Sequence, residues 1–169
     1  MRFSRALFHP FLRLAVFALA LMLSSFTLAA APQAFKAGSL AGIESGRAGK
    51  PFILLFWSLE CPSCLKEMDS LAAALAKYPD VDLVMVSIDE DSYAQAAEAM
   101  LAKRHLQKAE AWIFGDADAQ GLRHEIDPAW FGELPRAYFY DAAHQRRAHS
   151  GTLSLQEIEA WRKSLAARP

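Results

Sequence analysis

The chain has 169 residues, 53% of them hydrophobic and 22% charged, with a formal net charge of -1. That is the length of about one domain, and the apolar content excludes a disordered chain. With 18 basic against 19 acidic side chains there is no electrostatic footprint for nucleic acid.

The N-terminus reads apart from the rest. Arg2, Arg5 and Arg13 precede an apolar run from Leu14 to Leu23, followed by Ser24, Ser25 and the small cluster Ala29 to Ala31. Charged, apolar and small-residue stretches in that order are those of a secretory signal. Weakly apolar residues continue to Ala31, close to the roughly 20 that a spanning helix needs, so a retained inner-membrane anchor is the alternative. Two segments are therefore expected: 1–31 as signal peptide or anchor, and 32–169 as one exported, periplasmic domain. The first holds three arginines and no acid, leaving 15 basic against 19 acidic side chains and a net charge of -4.

Residues 32–49 are small and broken by glycines, with Leu40 and Ile43 the only strong apolar pair; they predict a lead-in with one short edge strand. Phe52 to Trp57 is apolar on both faces, the pattern of a central strand covered by helices on each side. Leu65, Met68, Leu71, Leu75 and Tyr78 then recur at helical steps, and that helix stops before Pro79. Val81 to Ile88 is a second buried strand. Beyond the acids Asp89-Glu90-Asp91, Ser92 with Gln95 predicts a capping box for a helix to about Leu106 that buries Tyr93, Ala97, Met100 and Leu101, with His105 a cation at its end.

Ala111 to Phe114 reads as a short strand, followed by a turn and a brief helix through Ile126. Asp116, Asp118, Gln120, Gly121 and Asp127 fall on calcium-loop positions. Gln120 and Asp127 are weak choices there and Arg123 adds a positive charge, so a turn and helix cap is preferred and no metal is expected. Asp127 to Glu133 is a loop carrying Trp130 and Phe131, and Leu134-Pro135 introduces a strand to Tyr140. Residues 141–144 form a hairpin turn and 145–151 the return strand. Ser154 with Glu157 makes a second capping box, opening a helix that turns Leu155, Ile158, Trp161 and Leu165 to the core. Two central strands joined through a helix require a parallel, right-handed crossover, and the late hairpin adds antiparallel strands. The expected class is α/β, three layers, with helices on both faces of one mixed sheet.

Cys61 and Cys64 are the only cysteines, and they stand where the first strand hands over to its helix. There, unpaired first-turn N-H groups and the positive end of the dipole favour a thiolate over a thiol. Pro62 suits the first turn, where its missing N-H costs nothing. Two cysteines so close seal a loop too small to stabilise the fold much, and the roughly 138-residue domain needs no staple. Zinc would need four ligands, and no second pair has the spacing. Redox chemistry is therefore preferred to a structural bridge or metal capture.

The set Gly49-Lys50-Pro51, Phe56-Trp57, Cys61-Pro62-Ser63-Cys64-Leu65-Lys66-Glu67, Ile88-Asp89, Asp116-Ala117-Asp118, Leu134-Pro135 and Gly151, in that order, resembles the thioredoxin superfamily and within it the exported TlpA and ResA-like thiol-disulfide reductases. The resemblance runs from about Gly49 to the C-terminus and implies a thioredoxin-like fold. It also implies that Pro135 is cis beside the cysteines, that the Leu134 backbone pairs with an extended substrate, and that Glu67 lies near the thiols and influences their protonation. From the residues alone, Glu67 reads as a solvated first-turn acid. Three departures bear on redox potential and partner: Glu60 stands where the family usually has Trp, Leu55 where thioredoxins carry a buried acid, and Met68 where a short family signature commonly continues towards Pro.

The expected function is reduction of disulfides in exported client proteins, with cytochrome c maturation one such setting. Cys61 attacks, Cys64 resolves, Glu67 handles a proton, and the loop from Trp130 to Pro135 binds the client. No cofactor is called for, a membrane thiol donor recharges the dithiol, and a monomer is expected. A disulfide-forming oxidant of the same fold and a Cu(I)-binding module are the alternatives.

Overall fold

The computed structural model describes residues 31–115 and 118–166. The elements run β1 (Gln33–Phe35), α1 (Ser39–Ser45), β2 (Phe52–Trp57), α2 (Pro62–Lys77), β3 (Leu83–Glu90), a 3-10 turn (Asp91–Tyr93), α3 (Ala94–Lys103), β4 (Glu110–Phe114), α4 (Ala119–Ile126), β5 (Arg136–Tyr140), β6 (Arg146–Ser150) and α5 (Leu155–Ala166). The sheet order is β1-β4-β3-β2-β5-β6. Parallel pairing joins β1, β4, β3 and β2, while β5 and β6 add antiparallel strands on the other side of β2. This is the mixed α/β sheet expected of a thioredoxin-like fold.

Every residue of β2 is buried, and their alternation divides the interior in two. Ile53, Leu55 and Trp57 face a core shared with Met68 and Leu71 of α2, Ala97 and Leu101 of α3, and Ile158 and Trp161 of α5. Phe52, Leu54 and Phe56 face Leu40 and Ile43 of α1 and Leu122 and Ile126 of α4. A central strand sandwiched this way has little freedom, so its C-terminal end is a fixed platform for the cysteine segment.

Three local features differ from expectation. The lead-in contains helix α1 as well as edge strand β1; the helix is only seven residues long and contains Gly42, so the Leu40/Ile43 pair is its whole periodic signal. The acidic run does not open a capped helix. Strand β3 continues to Glu90, the chain turns in a 3-10 turn, and neither that turn nor α3 has a side-chain cap. This tighter turn leaves Tyr93 54% exposed rather than in the core, and Met100 only half-buried. Helix α3 ends at Lys103, and exposed His105 sits beyond it at a positive φ of 59°. The Ser154/Glu157 box does form, with Ser154 N-H donating to Glu157 Oε2 at 2.8 Å and Glu157 N-H to Ser154 Oγ at 3.3 Å.

Of the expected signal or anchor, residues 1–31, all but Ala31 lie outside the described residues, as does the Asp116-Ala117 part of the turn. Among the described residues no helix is long and apolar enough to cross a membrane.

Candidate active site at the start of helix α2

Strand β2 ends at Trp57 and the chain crosses to α2 in four residues. That crossing is held by Asp89, near the end of neighbouring β3. Its carboxylate accepts from Ser58 Oγ at 2.7 Å, from Leu59 N-H at 2.9 Å and from Ser87 Oγ. Ser58 Oγ in turn accepts from Glu60 N-H at 3.1 Å, and Cys61 N-H donates to the Ser58 carbonyl at 3.2 Å. Nothing in the local pattern signals this role, because Asp89 reads as part of a helix-opening acidic run.

Cys61 is the N-cap of α2, with extended backbone (φ -99°, ψ 99°), and Pro62 follows at the first helical position. The Cys61 sulfur accepts from Cys64 N-H at 3.1 Å and lies 3.3 Å from Ser63 Oγ. The helix therefore directs an unpaired first-turn donor at this sulfur, as a nascent thiolate needs. Cys61 and Cys64 form a disulfide with S-S 2.09 Å. Cys61 is half-buried and Cys64 is 1% exposed, so only the first sulfur is open to a partner.

Glu67 follows Cys64 by one helical turn, on the same face. It is 2% exposed, not a solvated first-turn acid. Its Oε1 accepts from Leu153 N-H, in the segment between β6 and α5, at 2.5 Å, while its Oε2 has no hydrogen-bond partner among the described residues. Burial pushes its pKa up to about 7; the Leu153 N-H pulls the other way and the charge of Glu157 adds to the rise. Leu55, 1% exposed, supplies only apolar surface, so the buried acid on this face is Glu67. Glu60 is exposed.

The opposite wall is the start of β5. Arg136 is in register with Phe56, which brings Pro135 alongside the end of β2, from which the cysteine segment departs. The Leu134-Pro135 bond is cis. Pro135 is buried, and half-buried Leu134 packs against both cores. Trp130 departs from its expected place on a binding surface. Its ring is 4% exposed, stacks at a tilt on Phe56 with centroids 4.9 Å apart, and donates Nε1-H to the Glu133 carbonyl at 2.9 Å. The exposed aromatic of that loop is Phe131, 93% exposed. Trp130 is drawn in because its indole finds both an apolar partner and an acceptor.

Arg136 fastens the same loop. Its guanidinium pairs with Asp127 at 2.8 Å and Glu133 at 3.0 Å and donates to Ser150 Oγ at 2.6 Å. Tyr138 adds its hydroxyl to Asp127 at 2.9 Å. No group of three or more His, Cys, Asp or Glu side chains among the described residues is placed to hold a metal ion.

A cysteine pair at the start of the helix after a central strand, flanked by a cis-proline loop, defines the class: a thioredoxin-like thiol-disulfide oxidoreductase. A model of the AhpC/TSA family matches residues 23–143, and the chain belongs to that family. Among solved structures, a secreted Mycobacterium tuberculosis disulfide oxidoreductase homologous to E. coli DsbE is 25% identical with a TM-score of 0.53, over 73% of this chain and 86% of that one. Mycobacterium tuberculosis DsbF is 21% identical with a TM-score of 0.58, over 82% and 96%. A thioredoxin-related protein from Neisseria meningitidis serogroup B is 18% identical with a TM-score of 0.57, over 70% and 86%. The last two bear on the fold alone. No curated protein matches the chain.

Proposed function

We propose that the domain spanning residues 32–169 reduces disulfides of exported proteins, with residues 1–31 as its signal peptide or inner-membrane anchor. The observation that carries this reading is the asymmetry of the pair: Cys61 caps the helix and reaches the surface, while Cys64 lies buried behind it. In the reduced protein, Cys61 attacks a client disulfide as thiolate, forming a mixed disulfide and releasing one client thiolate. Cys64 then gives up its proton and attacks the Cys61 sulfur, restoring the internal disulfide and releasing the second client thiolate. Two electrons pass to the client, and two protons complete its thiols. Glu67, one turn from Cys64 and with a proton affinity near neutrality, takes the Cys64 proton. Leu134 and cis Pro135 line the client's path, and the buried Trp130 supports that loop from beneath.

The reductive direction is favoured by the carboxyls at the site. Strong oxidants of this kind are those whose reduced, thiolate form is stabilised. Here Glu60 places a carboxylate next to Cys61, and a like charge opposes the thiolate. A membrane thiol donor would return the electrons. The test is Cys64→Ser, which removes the resolving sulfur. Incubated with a disulfide-containing client, it should accumulate a mixed disulfide through Cys61, whereas Cys61→Ser should trap nothing; equal trapping by both would overturn the assigned roles.

A further inference from the structure

The amide after the one that binds Glu67 is also occupied by a carboxylate. Leu153 N-H donates to Glu67 Oε1 at 2.5 Å, and Ser154 N-H to Glu157 Oε2 at 2.8 Å. Equivalent backbone atoms of neighbouring residues are at most about 3.8 Å apart, so those two carboxylate oxygens lie within about 9 Å of each other. One belongs to α2 and is buried; the other belongs to the first turn of α5 and is partly open to solvent, its side chain 40% exposed.

We propose that Glu157 is a positioning residue for the dithiol site: its carboxylate, fixed on the amide adjacent to the one that holds Glu67, adds to how firmly the buried Glu67 keeps its proton. This inference rests on Glu67 taking part in exchange.

The surroundings leave few other candidates. In the core that α2 shares with the sheet, Ile53 and Leu55 of β2, Leu83 and Met85 of β3, and Ala97 and Leu101 of α3 are apolar, and Trp57 adds only an uncharged buried indole N-H. On α2 itself the neighbouring reactive group is Cys64. Glu157 stays charged because the Ser154 backbone and hydroxyl hold its pKa down, aided by the nearby charges of His149 and Arg147 from β6. His149 Nδ1 lies 3.5 Å from Glu157 Oε1. The Arg147 charge offsets part of that of Glu157 and thereby loosens the proton on Glu67. A buried carboxyl is in this way coupled to a pair that solvent can reach.

The capping box makes a clean experiment available, because glutamine serves at its third position as well as glutamate. Glu157→Gln removes the charge and keeps the cap. The Glu67 carboxyl is titrated by carbon NMR in the intact oxidised domain, and disulfide exchange with a client is followed against pH in parallel. Glu157→Gln should lower the Glu67 titration by about half a unit at low salt, with a smaller difference at high salt, since the interaction runs partly through solvent. Glu159→Gln, two residues on and paired with Lys77 at 2.6 Å, should leave Glu67 unmoved. An unmoved Glu67 titration in Glu157→Gln with an intact fold would overturn the proposal, as would an equal shift in Glu159→Gln. A moved titration with an unmoved exchange profile would support the coupling and overturn instead the part given to Glu67 in exchange.

Discussion

Replacing Glu67 with glutamine removes a titration while keeping an oxygen to accept from Leu153 N-H. The carboxyl has an ordinary pKa of 4.5 and one of about 7 in the folded protein. Between those values the folded state binds more protons than the unfolded state, so stability falls as pH rises through that window. The acid's favourable state is fully present below about pH 4.5 and lost by the time pH passes 7. A difference of some 2.5 units corresponds to about 3 kcal/mol at about 1.4 kcal/mol per unit. Other carboxylates titrate in the same range, but subtracting wild type from Glu67→Gln cancels them. Urea unfolding of the oxidised protein from pH 4 to pH 8 should therefore show the variant gaining on wild type by about 3 kcal/mol across the range. A difference curve that stays flat would show that Glu67 is not held in a desolvating site, and the argument for its proton-handling role would fall with it.

Asp89→Ala should lower stability by about 2–4 kcal/mol, because it leaves the Leu59 amide and the hydroxyls of Ser58 and Ser87 without their acceptor, and faster hydrogen exchange at Leu59 would locate the effect. Trp130→Ala should cost about 3–5 kcal/mol in denaturant unfolding, as a truncated core aromatic does. Phe131→Ala should change stability by no more than about 0.5 kcal/mol yet slow exchange with protein clients; an unchanged client rate would remove that side chain from the binding surface. Arg136→Ala should destabilise the protein by about 2–3 kcal/mol, since it removes the cation shared by Asp127 and Glu133 and leaves Asp127 only the Tyr138 hydroxyl and the Ala129 N-H, and Arg136→Lys should restore only part of the loss.

The parts of this fold that are legible in the sequence are those with long, unbroken patterns. β2 shows as a six-residue apolar run, α2 as a stripe ending at Pro79, and the Ser154/Glu157 box as a local spacing that the structure satisfies with the expected bonds. Helix α1 escapes because two turns around a glycine carry too little periodicity. Tyr93 lies away from its expected place because a one-turn change from α to 3-10 rotates a side chain by more than the pattern can register. At the site, the cysteines announce themselves by rarity and spacing. The role of Asp89 depends on two neighbouring strands, Leu59 being 30 residues away in sequence. The amide that Glu67 accepts from belongs to Leu153, 86 residues away, and no local pattern encodes either contact. Trp130 and Phe131 are adjacent aromatics with opposite exposures, and only the acceptor at Glu133 and the ring of Phe56 decide which one turns inward.

Whether Cys61 and Cys64 run as a reducing dithiol is decided by their reduction potential. Equilibrating the domain in redox buffers of graded thiol to disulfide ratio, and counting free thiols at each, gives that potential. A reducing dithiol should show a reversible two-electron transition at about -200 mV or lower, in the range of thioredoxin-like reductants; a value near about -120 mV, that of a strong disulfide-forming oxidant, would contradict the reductive reading.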